Sequence, residues 1–208
     1  MLDEHLYSFS VNGRILSSLL MMKGKEKEYA YGYLTTEGIV PADKIESVMV
    51  DDTDISVLTT DTQQVLLPKK TVVSGCGGTA SYLDAAKLPV LSTTAVFPAK
   101  EVLHDIFSAD VLRDGGFSAA VVSGTEIYRG DDTGQIQAAD KAIGAALMKK
   151  ANLSSAVLVI SGKVSADLVR KCLNAGIPGI MAKYPATTLA ASIAKEGHLT
   201  IRHAPELS

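Results

Sequence analysis

The sequence predicts a layered α/β fold with a mixed sheet and α+β character in its strand-rich first half, and three observations predict it. Alternating apolar and polar residues flank an Asn12-Gly13 dipeptide near the start. A five-residue apolar run, AVLVI, lies between two stretches of helical periodicity. From there to the end strand-like and helix-like segments alternate, the pattern of crossover connections in a partly parallel sheet.

Residues 6–20 read as an opening hairpin, because Asn-Gly tolerates the positive φ angles of a type I′ turn. EKEYAYGYLTTEG carries its acids early and Gly38 just past its end, so a helix is expected over residues 25–36. Residues 45–50 and 55–59 read as strands around the acidic turn DDTD, with another short strand at 65–67. TVVSGCGG reads as a strand entering a glycine-rich loop, followed by a helix through Leu83 and Ala86. PAKEVLHDIF reads as a helix with Pro98 in its first turn.

AAVVSGTEIYRG reads as a hairpin, and QIQAADKAIGAALMKK as a helix whose Ile136, Ala139, Ile143 and Leu147 form a core stripe. AVLVI suits a buried strand, and Ser165 suits the cap of a helix running to Gly176. A strand at 179–182, a helix at 188–196 and a strand at 199–201 complete the series.

A chain of 208 residues with 47% apolar content can bury a substantial core. Its net charge of −3, 5% aromatic content and lack of Trp argue against a nucleic-acid partner. Acids stand at the N-terminus where an export signal would be positive, and no apolar run approaches a membrane span, so a cytoplasmic protein is expected. Without repeats or linkers, one domain is expected, with a strand-rich lobe over about residues 1–73 and an α/β core over about 74–208.

The two cysteines, Cys76 and Cys172, lack the close ligand pairs of a zinc site and read as free thiols. Cys76 stands in SGCGG, where Gly75, Gly77 and Gly78 permit a sharp turn and leave the sulfur uncovered. Converging N–H groups there would favour the thiolate, the form that attacks a sulfur electrophile. A small buried hydrophobe at a tight turn accounts for the same residues, and both readings stay open. Cys172, inside VRKCLNAG, reads as core packing.

RGDDTG offers two acids before a helix and could bind a cation or orient a cationic partner, although on spacing alone it reads as a turn. Ser161, Gly162 and Lys163 follow a buried strand and precede a helix, where open α/β sheets place anionic ligands, although a solvated lysine fits equally. Thr187 and Thr188 stand at a similar junction, with helix capping as the default reading. His5, His104, His198 and His203 form no metal-binding pair.

Three ordered segments, beginning at EYAYGYLTTEGIV, DDTGQIQAADKAIG and SGKVSADLVRKC, resemble the FdhD family of formate dehydrogenase accessory proteins. EYAYGYLTTEGIV is similar to that family's ELALGFLFTEGII, and DDTGQIQAADKAIG to its EDVGRHNAVDKVIG. SGKVSADLVRKCLNAGIPGIMAKYPATTLAASIAKEG follows SGRxSxxxVxKxxxAGIPxxxAxSAxTxLAxxxA almost throughout.

The resemblance implies a cytidine deaminase-like fold without the deaminase zinc signature, and a homodimer. It implies a sulfurtransferase that accepts persulfide sulfur from a cysteine desulfurase on Cys76. The sulfur then passes to the molybdenum or tungsten guanine dinucleotide cofactor of formate dehydrogenase. Cofactor contacts are expected from Gly75, Gly77, Gly78, Gly115, Gly116, Ser161, Gly162, Lys163, Ser165, Thr187 and Thr188, and near the C-terminus from Arg202, His203, Ala204 and Pro205.

The chain departs from the family pattern at several points. SGCGG has one cysteine where many members have CxxC, Ser118 replaces the histidine of GGxHAA, and Gln135-Ile136 replaces the RH of EDVGRH. The GFxR-type tail is absent from these residues. A divergent paralogue that binds the cofactor without transferring sulfur is therefore the alternative reading.

Overall fold

The computed structural model describes residues 1–60, 88–99, 103, 106–205 and 207. The expected strand at 65–67, the loop holding Gly75, Cys76, Gly77 and Gly78, the helix through Leu83 and Ala86, and His104 lie outside the described residues. The fold is mixed α/β, built on two mixed sheets.

The opening hairpin forms as predicted, with strands β1 (Glu4–Val11) and β2 (Arg14–Met22) joined through Asn12 and Gly13, at φ 50° and 76°. Strands β3 (Ile45–Asp51) and β4 (Asp54–Thr59) form the second hairpin. β4 lies parallel beside β1, giving a four-stranded sheet in the order β2-β1-β4-β3.

Helix α1 (Glu26–Thr36) covers one face of this sheet. Tyr29 and Tyr33 meet Phe9 edge-on, with ring centroids 6.2 and 5.7 Å away, a favoured aromatic geometry. α1 is not amphipathic in the usual sense because both of its sides are buried: the tyrosines face the sheet while Gly32 and Thr36 face other helices. Lys25 caps α1 in the left-handed region at φ 62° rather than joining it, so the helix begins one residue later than expected.

The second sheet has the order β6-β5-β7-β8-β9, built from β5 (Phe117–Ser123), β6 (Glu126–Asp132), β7 (Val157–Lys163), β8 (Gly179–Tyr184) and β9 (Thr200–His203). β7 is central and takes AVLVI into the core, with each of its first six residues buried. Its Leu158 and Ile160 face three helices, α3 (Gln135–Met148), α4 (Ala166–Ala175) and α5 (Thr188–Glu196). Val157 and Val159 face the opposite layer, where Phe97, Leu103, Ile106, Phe107 and Leu207 pack. Burying side chains of this size contributes roughly 1.5–3 kcal/mol each.

Two expectations are corrected. Arg129 to Asp132 of RGDDTG are strand residues, and only Thr133 and Gly134 bend the chain, because the carboxylates find partners inside the protein instead of in a solvated turn. Pro98 and Ala99 are not helical, whereas a short helix that the sequence reading missed, α2 (Ala109–Arg113), precedes β5. Its cap is Ser108, whose hydroxyl accepts from the Val111 N–H.

α3 joins the two halves. A Cβ added at Gly144 would lie 1.7 Å from the Glu28 carbonyl oxygen, and one at Gly32 would lie 1.9 Å from the Asp140 carbonyl oxygen. The two helices therefore touch backbone to backbone, which no larger residue at these positions permits. On the other side of α3, Gly130 of β6 makes the same close approach to Ala138 and Ala142.

Gly144→Ala forces α1 and α3 apart against backbone atoms that have no rotamer to move. The expected outcome is a loss of stability on the order of 3 kcal/mol, read as a lower denaturant midpoint in equilibrium unfolding.

Candidate functional site

Two polar centres surround α3. The first is sealed between α1, α3 and α4. The Lys171 ammonium donates to both Asp140 carboxylate oxygens at 3.1 and 2.9 Å, to Glu37 Oε1 at 2.7 Å and to Thr36 Oγ1 at 3.0 Å. Arg170 donates to the same Glu37 oxygen, to Asp167 and to the Thr36 carbonyl. These side chains are almost wholly buried.

With two cations against three carboxylates, one negative charge is in excess. Burial and the nearby Glu37 carboxylate push the Asp140 carboxyl up to about 6 despite its bond to Lys171. Burial lowers the pKa of Lys171, but Asp140 and Glu37 outweigh it and hold the ammonium above its ordinary value. Each charged group is partnered within the protein, so this centre is a structural tie.

Cys172 beside it is fully buried, and burial pushes its thiol well above the ordinary range. It is core packing, as the sequence implied.

The second centre lies along one edge of the five-stranded sheet. β5 runs antiparallel to β6 and β7, and β7, β8 and β9 are parallel. The C-terminal ends of β6, β7, β8 and β9 therefore share one edge with the start of β5, and α3, α4 and α5 begin there. Helix N-termini present N–H groups and a partial positive charge to an anion.

Ser165 and Thr187 act as caps, accepting from the N–H groups of Leu168 at 3.3 Å and Ala190 at 3.2 Å. α3 begins after Gly134, which gives it no side-chain cap. Gln137, in its first turn, has a buried Oε1 with no hydrogen-bond partner among the described residues.

This edge gathers most of the residues the sequence singled out. Gly115, at φ 85°, and Gly116 lead into β5, and Gly116 packs against Val111 so closely that a Cβ would lie 2.7 Å from its Cγ1. Ser161, Gly162 and Lys163 end β7. Gln135 donates from Nε2 to the Lys163 carbonyl at 2.8 Å and lies across Gly162, where a Cβ would overlap its Oε1.

Thr187 and Thr188 join the same edge through the Thr187 N–H bond to the Val164 carbonyl at 3.0 Å. His203 contacts the Lys183 carbonyl at 3.1 Å, Ala204 is buried and Pro205 is exposed. Arg202 projects onto a sheet face instead, its guanidinium 3.8 Å from the centroid of the Phe97 ring.

The sequence reading missed a row of polar side chains beneath this edge. Ser118 donates its hydroxyl to Asp131 Oδ1 and accepts from the Ser108 N–H at 3.0 Å, while its own N–H donates to Ser161 Oγ at 3.0 Å. A signal was present: a turn over Gly124 and Thr125 pairs Ser123 with Glu126 and, by antiparallel register, Ser118 with Asp131.

The FdhD/NarQ family model matches residues 2–204. The chain belongs to the FdhD/NarQ family. A "Protein FdhD" from Methanocaldococcus jannaschii is 26% identical, the match covering 95% of this chain and 81% of the relative. A "Sulfur carrier protein FdhD" from Streptomyces coelicolor is 30% identical over 95% of this chain and 81% of the relative. A protein of known crystal structure from Desulfotalea psychrophila has the same fold, with a TM-score of 0.73 at 21% identity over 96% of this chain and 82% of that one. No helix among the described residues is long and apolar enough to cross a membrane.

The raised Asp140 carboxyl has a definite pH signature. Between its ordinary value of 3.8 and about 6 the folded protein holds a proton that the unfolded chain has released, so this contribution to stability falls as pH rises through that window. The melting temperature of the wild type, measured relative to Asp140→Asn from pH 4 to 7, is expected to decline up to about pH 6 and then level.

Proposed function

We propose that this chain is a sulfur carrier that serves formate dehydrogenase in the reducing cytoplasm, with Cys76 as the carrier residue. The observation that supports the reading most is the family match over residues 2–204, together with relatives named sulfur carrier proteins. Cys172 is buried and held in its thiol form, which leaves Cys76 as the cysteine suited to exchange.

In the first step the Cys76 thiolate attacks the outer sulfur of a cysteine desulfurase persulfide, and the desulfurase thiolate leaves. In the second the outer sulfur passes to the metal of the molybdenum or tungsten guanine dinucleotide cofactor. The metal supplies the two electrons that make it a sulfide ligand, and the Cys76 thiolate leaves.

The sheet edge suits the cofactor as bound substrate. The uncapped start of α3 offers N–H groups to a phosphate, and Lys163 adds positive charge at the end of β7. The hydroxyls of Ser165 and Thr187 are already engaged as caps, so their part is to set the backbone.

A cofactor chaperone that does not transfer sulfur is the second reading. It is favoured by the single cysteine of SGCGG and by Ser118, whose hydrogen bonds are directed inward.

Incubation with a cysteine desulfurase and cysteine, followed by intact-mass spectrometry, separates the two readings. One added sulfur that a reductant removes and that Cys76→Ala abolishes supports the carrier. No gain from a competent donor, or a gain on Cys172 alone, leaves the chaperone reading in its place.

A further inference from the structure

We infer that Lys141 is a positioning residue for anion binding: it cancels the charge of Asp132 beneath the start of α3 and so keeps that start attractive to phosphate. The assignment rests on the cofactor reading above. The chain enters α3 through Asp132, Thr133 and Gly134, and the first intrahelical bond runs from the Ala138 N–H to the Gly134 carbonyl at 3.0 Å. The N–H groups of Gln135, Ile136 and Gln137 therefore precede the helical ladder, and Gly134 brings no side-chain cap to them.

A carboxylate stands at this start. Asp132 Oδ1 accepts from the Gly134 N–H at 3.3 Å and so fixes the entry backbone. Left alone, its charge would more than offset the partial positive charge of the helix start, about half an elementary charge. Lys141, further along the same helix, returns to Asp132 Oδ2 at 2.7 Å and restores the balance.

Burial gives this pair its influence. Lys141 is 1% exposed and Asp132 0%, so water screens neither, and the loss of one member would be felt along the edge. Glu4, which accepts from the Thr133 hydroxyl at 2.7 Å, and Lys163 are exposed, and solvent screens both.

A second observation marks the start of α3 as a place for a ligand. Gln137, 4% exposed, ends in an Oε1 without a partner among the described residues, 2.1 Å from where a Cβ of Gly134 would stand. Turned over, its amide presents an N–H to the same point and joins the donors that face an anion.

The test is calorimetric titration of the whole chain with inorganic pyrophosphate at fixed ionic strength. Wild type, Lys141→Met, Asp132→Asn and the double variant are compared, each checked for a native circular dichroism spectrum. Removing the ammonium alone leaves the Asp132 charge unopposed, and pyrophosphate affinity falls about tenfold or more. Asp132→Asn keeps an oxygen for the Gly134 N–H, leaves the ammonium unopposed and binds pyrophosphate more tightly than wild type. The double variant recovers most of the loss seen in Lys141→Met.

A purely structural pair predicts a different order, because both single variants loosen the junction and both bind more weakly. Weaker binding by Asp132→Asn, or wild-type binding by Lys141→Met, overturns the assignment and leaves the cofactor reading standing. Should Lys141→Met not fold, Asp132→Asn must still bind more tightly than both the wild type and the double variant. A wild type that binds no pyrophosphate overturns the cofactor reading and the assignment with it.

Discussion

The structure depends on α3 being held by backbone contact and buried charge on all of its sides. Its small residues let α1 and β6 approach until main-chain atoms touch, at Gly32 and Gly144 on one side and Gly130 on the other. Close packing of this kind gains dispersion energy and leaves no room for rotation of one element against another. The charges then set the register. Lys141 reaches Asp132 Oδ2 at 2.7 Å and the Met22 carbonyl at 2.6 Å, and Asp132 also accepts from the Met22 N–H at 3.1 Å. One buried ion pair therefore ties β2 of the first sheet to β6 of the second.

This constraint bears directly on function. Asp132 ends β6, one residue after Asp131 and three before the start of α3. The same carboxylate that meets Lys141 also accepts from the Gly134 N–H at 3.3 Å, shaping the junction from which the candidate site opens. A site on rigid elements is more precise than one on loops alone, and here the rigidity comes from residues far away in sequence. The starts of α3, α4 and α5 and a glycine near the end of β7 are brought together by sheet topology, not by any local motif.

That history explains what the sequence disclosed. The three hairpins, α1 and the alternating elements after Ser155 were legible because their signals are local: Asn12-Gly13, the AVLVI run, Ser165 before α4 and Gly176 after it. Ala139 and Ile143 of the predicted stripe are indeed core residues. The burial of Asp140 and Lys141 was not legible. In an isolated helix they read as a solvated face, and their partners Thr36, Lys171 and Met22 stand far along the chain. The strings that carry the family resemblance contain Thr36, Glu37, Asp132, Asp140, Lys141 and Lys171, so recognition rested in part on the residues that tie the halves together. Among the expected site residues, Ser161, Gly162, Lys163, Thr187 and Thr188 were read from strand-to-helix junctions and Gly115, Gly116 and those near the C-terminus from the family resemblance, whereas the Ser118–Asp131 pair, which was not expected, required the register of the hairpin.

A double-mutant cycle on Lys141 and Asp132 tests this account most directly. Stability is measured by equilibrium unfolding for Lys141→Met, Asp132→Asn and the double variant. If the buried pair locks the two sheets, Lys141→Met alone costs about 3–5 kcal/mol by stranding a charge, and the double variant recovers much of that loss. Single losses that simply add in the double variant would contradict it, because the two side chains would then act independently.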